Sequence, residues 1–199
     1  MLQGQAVKAE PMFRRLHAVM MRVHGAEHPN TLSVAGDLAT SLSNQGKYVE
    51  AERIGREVLG VRKRVLGAEH PETLGSANNL ASSLSRQGKY ADAEQIQREV
   101  HGVQQRVLGA EHPGTLANAN NLAGSLFNQG KYAEAERIQR EVLGARKRVL
   151  GAEHPDTLTT ASNLATSLAD QGKYADAERI QREVHEVQKR VLGAEDPDT

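Results

Sequence analysis

An all-α fold of stacked antiparallel helical hairpins is what the sequence predicts, and three observations predict it. One block recurs in phase along the 199 residues: Ala-Glu-His-Pro at 26–29, 68–71, 110–113 and 152–155, with Ala-Glu-Asp-Pro at 194–197, and Gln-Gly-Lys-Tyr at 45–48, 87–90, 129–132 and 171–174. Each step is 42 residues, which is the period of a repeat array rather than of a conventional globular domain. Within each block, apolar residues recur at three- and four-residue intervals in two separate runs, each the signature of one buried helix face.

The elements follow in order from one block. After Pro71, Leu74, Ala77, Leu80, Ala81 and Leu84 line one face of a first helix. Proline suits the first turn of a helix, where an amide N–H has no intrahelical partner. Gln87-Gly88-Lys89 ends that helix, glycine being the usual residue for the left-handed turn at a helix C-terminus. Tyr90, Ala93, Ile96, Val100 and Val103 or Val107 then mark a second helix, closed by Gly109. The unit is a hairpin of about 16 plus about 18 residues. A lone hairpin cannot bury its apolar face, so neighbouring units must stack. The array divides into a partial repeat at 3–25 (second helix only), repeats at 26–67, 68–109, 110–151 and 152–193, and the opening of another at 194–199. These ends read as a piece of a longer array, or as a unit that stacks on itself.

Charges fit exposed helix faces. Glu52/Arg56, Glu94/Arg98, Glu136/Arg140 and Glu178/Arg182 stand four apart with the acid first, the favourable orientation. Arg62-Lys63-Arg64 and Arg146-Lys147-Arg148 read as solvated tracts that compensate the helix dipole. Gly60, Gly102 and Gly144 lie inside second helices and read as solvent-side and tolerated, with close helix contact the rival explanation.

Composition narrows the function. The 25 basic and 25 acidic residues cancel, which argues against nucleic-acid binding and against a polybasic membrane anchor. Cysteine is absent, so disulfides and thiolate metal sites are excluded. No apolar run approaches the roughly 20 residues of a membrane span, and no apolar signal core opens the chain. A cytoplasmic protein is the default expectation. His28, His70, His112 and His154 recur once per hairpin, too far apart to share a metal whose nitrogen ligands sit about 2.1 Å away. They read as helix-start residues beside proline. Neither a nucleophile elbow nor a Gly-rich phosphate loop is present, so no catalytic residue and no cofactor is expected.

The pattern L-A-x-x-L followed by G-x-Y-x-x-A, as in Leu38-Ala39 to Leu42 and Gly46, Tyr48 and Ala51, resembles the tetratricopeptide signature. The longer block, with HPxTL, NNLA, QGKY and a terminal RVLGAEHP, is similar to the repeat of the kinesin light chain family over essentially the whole chain. The sequence departs from the general pattern in its second helices, where Gly55, Gln97, Gln139 and Gln181 replace a large aromatic, and in its first, where Ala35, Ala77, Ala119 and Ala161 replace a bulky residue. No heptad segment for a motor heavy chain is present. The resemblance implies a right-handed superhelical solenoid whose first helices line a concave face that binds a protein or peptide.

On that face the resemblance places Gly36, Asp37, Thr40, Ser43 and Asn44 in the opening unit. Asn78, Asn79, Ser82, Ser85 and Arg86 follow in the next, then Asn120, Asn121, Gly124, Phe127 and Asn128, then Ser162, Asn163, Thr166, Ala169 and Asp170. The candidate peptide-binding set is Asn78, Asn79, Ser82, Arg86, Asn120, Asn121, Phe127, Asn128, Asn163 and Thr166. Asparagine competes with the helix backbone for hydrogen bonds, so its repetition suggests use. An amide side chain both donates and accepts, as an extended peptide backbone requires, although it could equally tie neighbouring hairpins together. Phe127 is an anchor for a partner side chain or a core residue. With Arg86 the only basic residue in the set, an extended internal segment is expected rather than a C-terminal carboxylate. The alternative is a structural spacer that associates end to end.

Overall fold

The computed structural model describes residues 2–195, with side chains described for residues 9–190. Among the described residues every regular element is an α-helix: α1 (Leu2–His24), α2 (Pro29–Asn44), α3 (Tyr48–Val65), α4 (Pro71–Arg86), α5 (Tyr90–Val107), α6 (Pro113–Asn128), α7 (Tyr132–Val149), α8 (Pro155–Ala169) and α9 (Tyr174–Glu195). The segment 196–199, part of the expected opening of a further repeat, lies outside the described residues. The helices fall into two compact units, residues 1–100 and 101–199, divided within α5.

Each first helix begins the same way. His28, His70, His112 and His154 are N-caps with extended backbone, followed by proline at the start of the helix. The imidazole Nδ1 of each accepts the backbone N–H two residues on, at 3.2 Å for Asn30 and Glu72 and 3.1 Å for Gly114 and Asp156. One of the four orphan donors of the helix start is thereby satisfied. An imidazole can do this only where that nitrogen carries no proton. The other end is equally regular. Lys47 N–H donates to the Leu42 carbonyl at 2.9 Å across Gly46, whose φ of 80° is open to glycine at little cost. This six-residue closure is a Schellman turn, and it folds α3 back on α2.

In the first unit α1 packs on α2, α2 on α3 and α3 on α4, and the first helices α2 and α4 also touch. In the second unit α6 packs on α7, α7 on α8 and α8 on α9, with α6 against α8. The cores are aliphatic. Leu32, Ala35, Leu38, Ala39 and Leu42 of α2 close against Ala51, Ile54 and Val58 of α3. Leu116, Ala119, Leu122, Ala123 and Leu126 do the same against Ala135, Ile138, Val142 and Ala145. Alanine on both helices lets their axes approach, so leucines from one side fill the gap.

Two expectations about charge need correction. The first member of each basic tract is not solvated. Arg62 is 8% and Arg146 6% exposed. Arg62 donates to Ser76 Oγ at 2.7 Å and to the Glu72 carbonyl at 3.2 Å on α4. It also reaches Ser33 Oγ on α2 at 3.2 Å. Arg146 donates to Thr160 Oγ1 at 2.7 Å and to the Asp156 carbonyl at 2.8 Å on α8. Arg62 and Arg146 stand four residues after the core residues Val58 and Val142, so they fall on the buried face of α3 and α7 rather than on the solvent side. Arg64 and Arg148 do face water and pair with Glu27 and Glu111 of the preceding loops at 2.6 and 2.5 Å.

The second correction concerns the acids of the four-residue pairs. The pairs form, with Arg56 on Glu52 and Arg140 on Glu136, each at 2.9 Å. The acids, however, are mostly buried, with side chains 13% and 12% exposed. The reason is a lysine from the next turn. Lys89 Nζ lies 2.7 Å from Glu52, Lys173 Nζ 2.7 Å from Glu136, and Lys47 Nζ 2.6 Å from Glu10. Gln171 Nε2 adds a 2.8 Å bond to Glu136. The lysine hydrogen bond, helped by glutamine and arginine, outweighs burial and lowers the carboxyls of Glu52 and Glu136 from 4.5 to about 2. Glu178 on α9 pairs with Arg182 and is 69% exposed.

Two predictions follow from this packing. A Cβ built on Gly60 or Gly102 meets nothing within 4 Å. Gly60→Ala and Gly102→Ala should therefore each stabilise the chain by about 0.5–1 kcal/mol, read from the midpoint of a urea titration at constant slope. The lowered carboxyls contribute stability that is complete above pH 4.5 and is lost as pH falls towards 2. Lys89→Met and Lys173→Met should lower the melting temperature at pH 7 and flatten its fall between pH 4.5 and 2; an unchanged pH profile would contradict the clasp.

Candidate peptide-binding face

The first helices each turn one face to the core and leave another to solvent. On α4 of the first unit, Asn79, Ser82 and Arg86 are exposed, while Asn78 is half-buried with its side-chain oxygen out of contact with water and without a hydrogen-bond partner. Asn120 on α6 is likewise half-buried, its side-chain oxygen out of contact with water and without a hydrogen-bond partner. In the second unit Asn121, Asn128, Asn163 and Thr166 are exposed. Asn128 donates its amide to the Gly124 carbonyl at 2.8 Å, and Thr166 its hydroxyl to the Ser162 carbonyl at 3.1 Å. These bonds fold the two side chains back on their own helices. Phe127 is half-buried, packs on the α6–α7 core and meets Tyr132 edge-on, ring centres 5.2 Å apart. Asn79, Asn121 and Asn163 occupy one register on α4, α6 and α8, an exposed amide on each of three first helices.

Three of the candidates meet around one cavity. It lies in the first unit between α2, α3 and α4 and has a volume of about 100 Å³. Ala39, Ala51, Val58 and Leu80, all core residues, form its floor beside Gly55. Thr40, Ser43, Asn44, Asn79, Ser82 and Arg86 form its polar rim. Arg86 Nη1 donates to Asn44 Oδ1 at 3.2 Å, joining α4 to α2 at one end. Arg62 and Ser76 close the other. The face signalled Asn79, Ser82 and Arg86 through exposed polar residues on a first helix. It gave no sign of the buried Arg62, whose role depends on Ser76, fourteen residues on.

Among the described residues, no group of three His, Asp or Glu side chains could hold a metal ion, and no helix is long and apolar enough to cross a membrane. Burial pushes the half-buried His101 imidazole below its usual range.

Hairpins of this geometry, stacked first helix on first helix, define an all-α repeat solenoid, a class whose members typically bind other proteins and are not typically enzymes. The chain belongs to the tetratricopeptide repeat family, whose model matches residues 1–64, 34–100, 72–148 and 115–190. Its repeats are of the kinesin light chain-like type. A kinesin-light-chain-type protein of Podosopora anserina with nearly identical TPR-like repeats is similar in two crystal structures, both at 26% identity. One gives a TM-score of 0.86 over 95% of this chain and 89% of that one. The other gives 0.83 over 94% and 89%. BtubC (BKLC) from P. vanneervenii shares the fold at 19% identity, with a TM-score of 0.82 over 96% of this chain and 76% of that one. No curated protein sequence matches the chain significantly.

Proposed function

We propose that the chain is a cytoplasmic protein-interaction scaffold that holds an extended peptide segment along its first helices. The observation that carries this reading is an exposed amide at the same place in the repeat in each unit, Asn79 on α4 of the first and Asn121 and Asn163 on α6 and α8 of the second. An amide in a fixed register offers a donor and an acceptor to a peptide backbone without demanding a side chain. The near absence of charge among the exposed candidates fits an uncharged backbone better than a terminal carboxylate. A helix interior tolerates asparagine at a cost of some tenths of a kcal/mol, which binding would offset. Peptides selected from a random dodecapeptide library on the full chain provide the probe. Asn121→Ala with Asn163→Ala, on the touching helices α6 and α8, should weaken them about tenfold, the loss of two hydrogen bonds of roughly 0.7 kcal/mol each, while helicity stays unchanged. Equal affinity in a fluorescence titration would refute the assignment.

One observation favours end-to-end self-association as a second reading. On α1, Met12, Leu16, Val19 and Val23 are exposed at helical spacing, with Met12 68% exposed. A stripe of this kind is unusual on a monomer's surface. Light scattering over a hundredfold concentration range separates the readings. A mass that grows with concentration and is restored to a single chain by Leu16→Lys with Val19→Lys supports self-association, and a constant mass removes it.

A further inference from the structure

We propose that the cavity beside Gly55 is a binding site for a single aliphatic side chain of about leucine size, carried by the peptide segment that the groove holds; the inference rests on that reading and adds to it the chemistry of one anchor residue. The cavity lies where this hairpin carries smaller side chains than its counterpart in the second unit, above all at three of its lining positions. Gly36, Ser43 and Gly55 line it. Two repeats further on, the same positions carry Asn120, Phe127 and Gln139. Gln139 is 3% exposed and Phe127 packs on the core, so large side chains there occupy the space between the corresponding helices. Gln97, in the next second helix after Gly55, is likewise 3% exposed. The rim also varies, with Gly124, Thr160, Thr166 and Asp170 standing where Thr40, Ser76, Ser82 and Arg86 stand, but the floor agrees: Ala39, Ala51, Val58 and Leu80 stand where Ala123, Ala135, Val142 and Leu164 stand. The opening therefore lies over a floor that is kept, where the side chains beside it are smaller.

Size and lining choose the occupant. An apolar cavity of about 150 Å³ accepts a six-carbon ring such as benzene. By proportion the about 100 Å³ here takes three or four carbons, the body of a leucine or valine. The floor of two alanines, a valine and a leucine offers such a body dispersion contacts, while the two arginines at the ends are already engaged, Arg62 by Ser76, Ser33 and Glu72 and Arg86 by Asn44. The rim is where a peptide backbone on either side of the anchor would lie. It presents the Asn79 amide, the Thr40 and Ser82 hydroxyls and the Asn44–Arg86 pair. Gly55 is the residue on which the site depends: a Cβ there comes to 3.4 Å from Leu80 Cδ1, at the floor of the cavity.

The test uses the full chain with N-acetyl-leucine N-methylamide as the probe and N-acetyl-aspartate N-methylamide as its control. Methyl NMR of Ala39, Ala51, Val58 and Leu80 should shift saturably with the leucine probe and not with the aspartate one. Gly55→Gln, the residue that other repeats carry at this position, should weaken the response at least tenfold, and Gly55→Ala should weaken it by a smaller factor while disturbing the fold least. No shift, an equal response to the aspartate probe, or unchanged affinity in Gly55→Ala and Gly55→Gln would overturn the site. The selected dodecapeptides separate the two readings. Gly55→Gln binding them as the parent does sinks the anchor and leaves the groove. Their indifference to the asparagine replacements, with leucine-probe binding intact, sinks the groove reading and leaves the pocket.

Discussion

A hairpin made of leucine, alanine, isoleucine and valine cannot cover its own apolar seam, and the arrangement of each unit follows from that constraint. Aromatics are 3% of the chain, so no single large ring plugs a gap. Coverage comes from the next hairpin. Glu136 is mostly buried beneath Lys173 and Gln171, whereas Glu178, one repeat on, stands 69% exposed. Gln139 is buried and its counterpart Gln181 is exposed. The residue types match at each pair of positions. What differs is whether another hairpin lies over them, and stability accordingly resides in the interfaces between neighbours as much as in the hairpins.

The seams are not purely apolar; polar side chains cross them. Arg62 with Ser76 and Arg146 with Thr160 join a second helix to the first helix that follows it. At the corresponding positions between them stand Gln104 and Asn118, both buried. A buried guanidinium is costly unless paired, and the two terminal nitrogens of Arg62 meet hydroxyl and carbonyl oxygens on two helices and the Glu72 carboxylate at 3.1 Å, its Nε having no partner. Removing the hydroxyl would leave the charge buried and underserved. Such a seam specifies its partner surface more narrowly than leucine against leucine could.

The repeats agree in almost everything that builds the hairpin and diverge in what they present. Capping histidine, proline, turn glycine, core leucines and the lysine clasp recur. Gly36, Ser43 and Gly55 against Asn120, Phe127 and Gln139, or Arg86 against Asp170, do not. A backbone kept constant by caps and core leaves the surfaces between first helices free to vary. Smaller side chains at a few of these positions, Gly55 in place of Gln139 among them, accompany a cavity in the first unit.

The sequence by itself determined the helices, their ends and their pairing into hairpins. Those depend on interactions a few residues apart: His70 capping Glu72, Lys89 closing back on Leu84 across Gly88, apolar spacing by three and four. It also showed the exposed asparagine register of α4, α6 and α8, because a repeat carries its register with it. Tertiary structure decided what the charges do. Arg62 looked like one of three solvated cations, and Glu52 like an exposed partner of Arg56, until the next hairpin buried both. It also decided that Gly55, legible only as a missing aromatic, leaves a cavity rather than a collapsed seam. Burial depends on surfaces brought together from tens of residues apart, and no local pattern records which side of a helix its neighbour will cover.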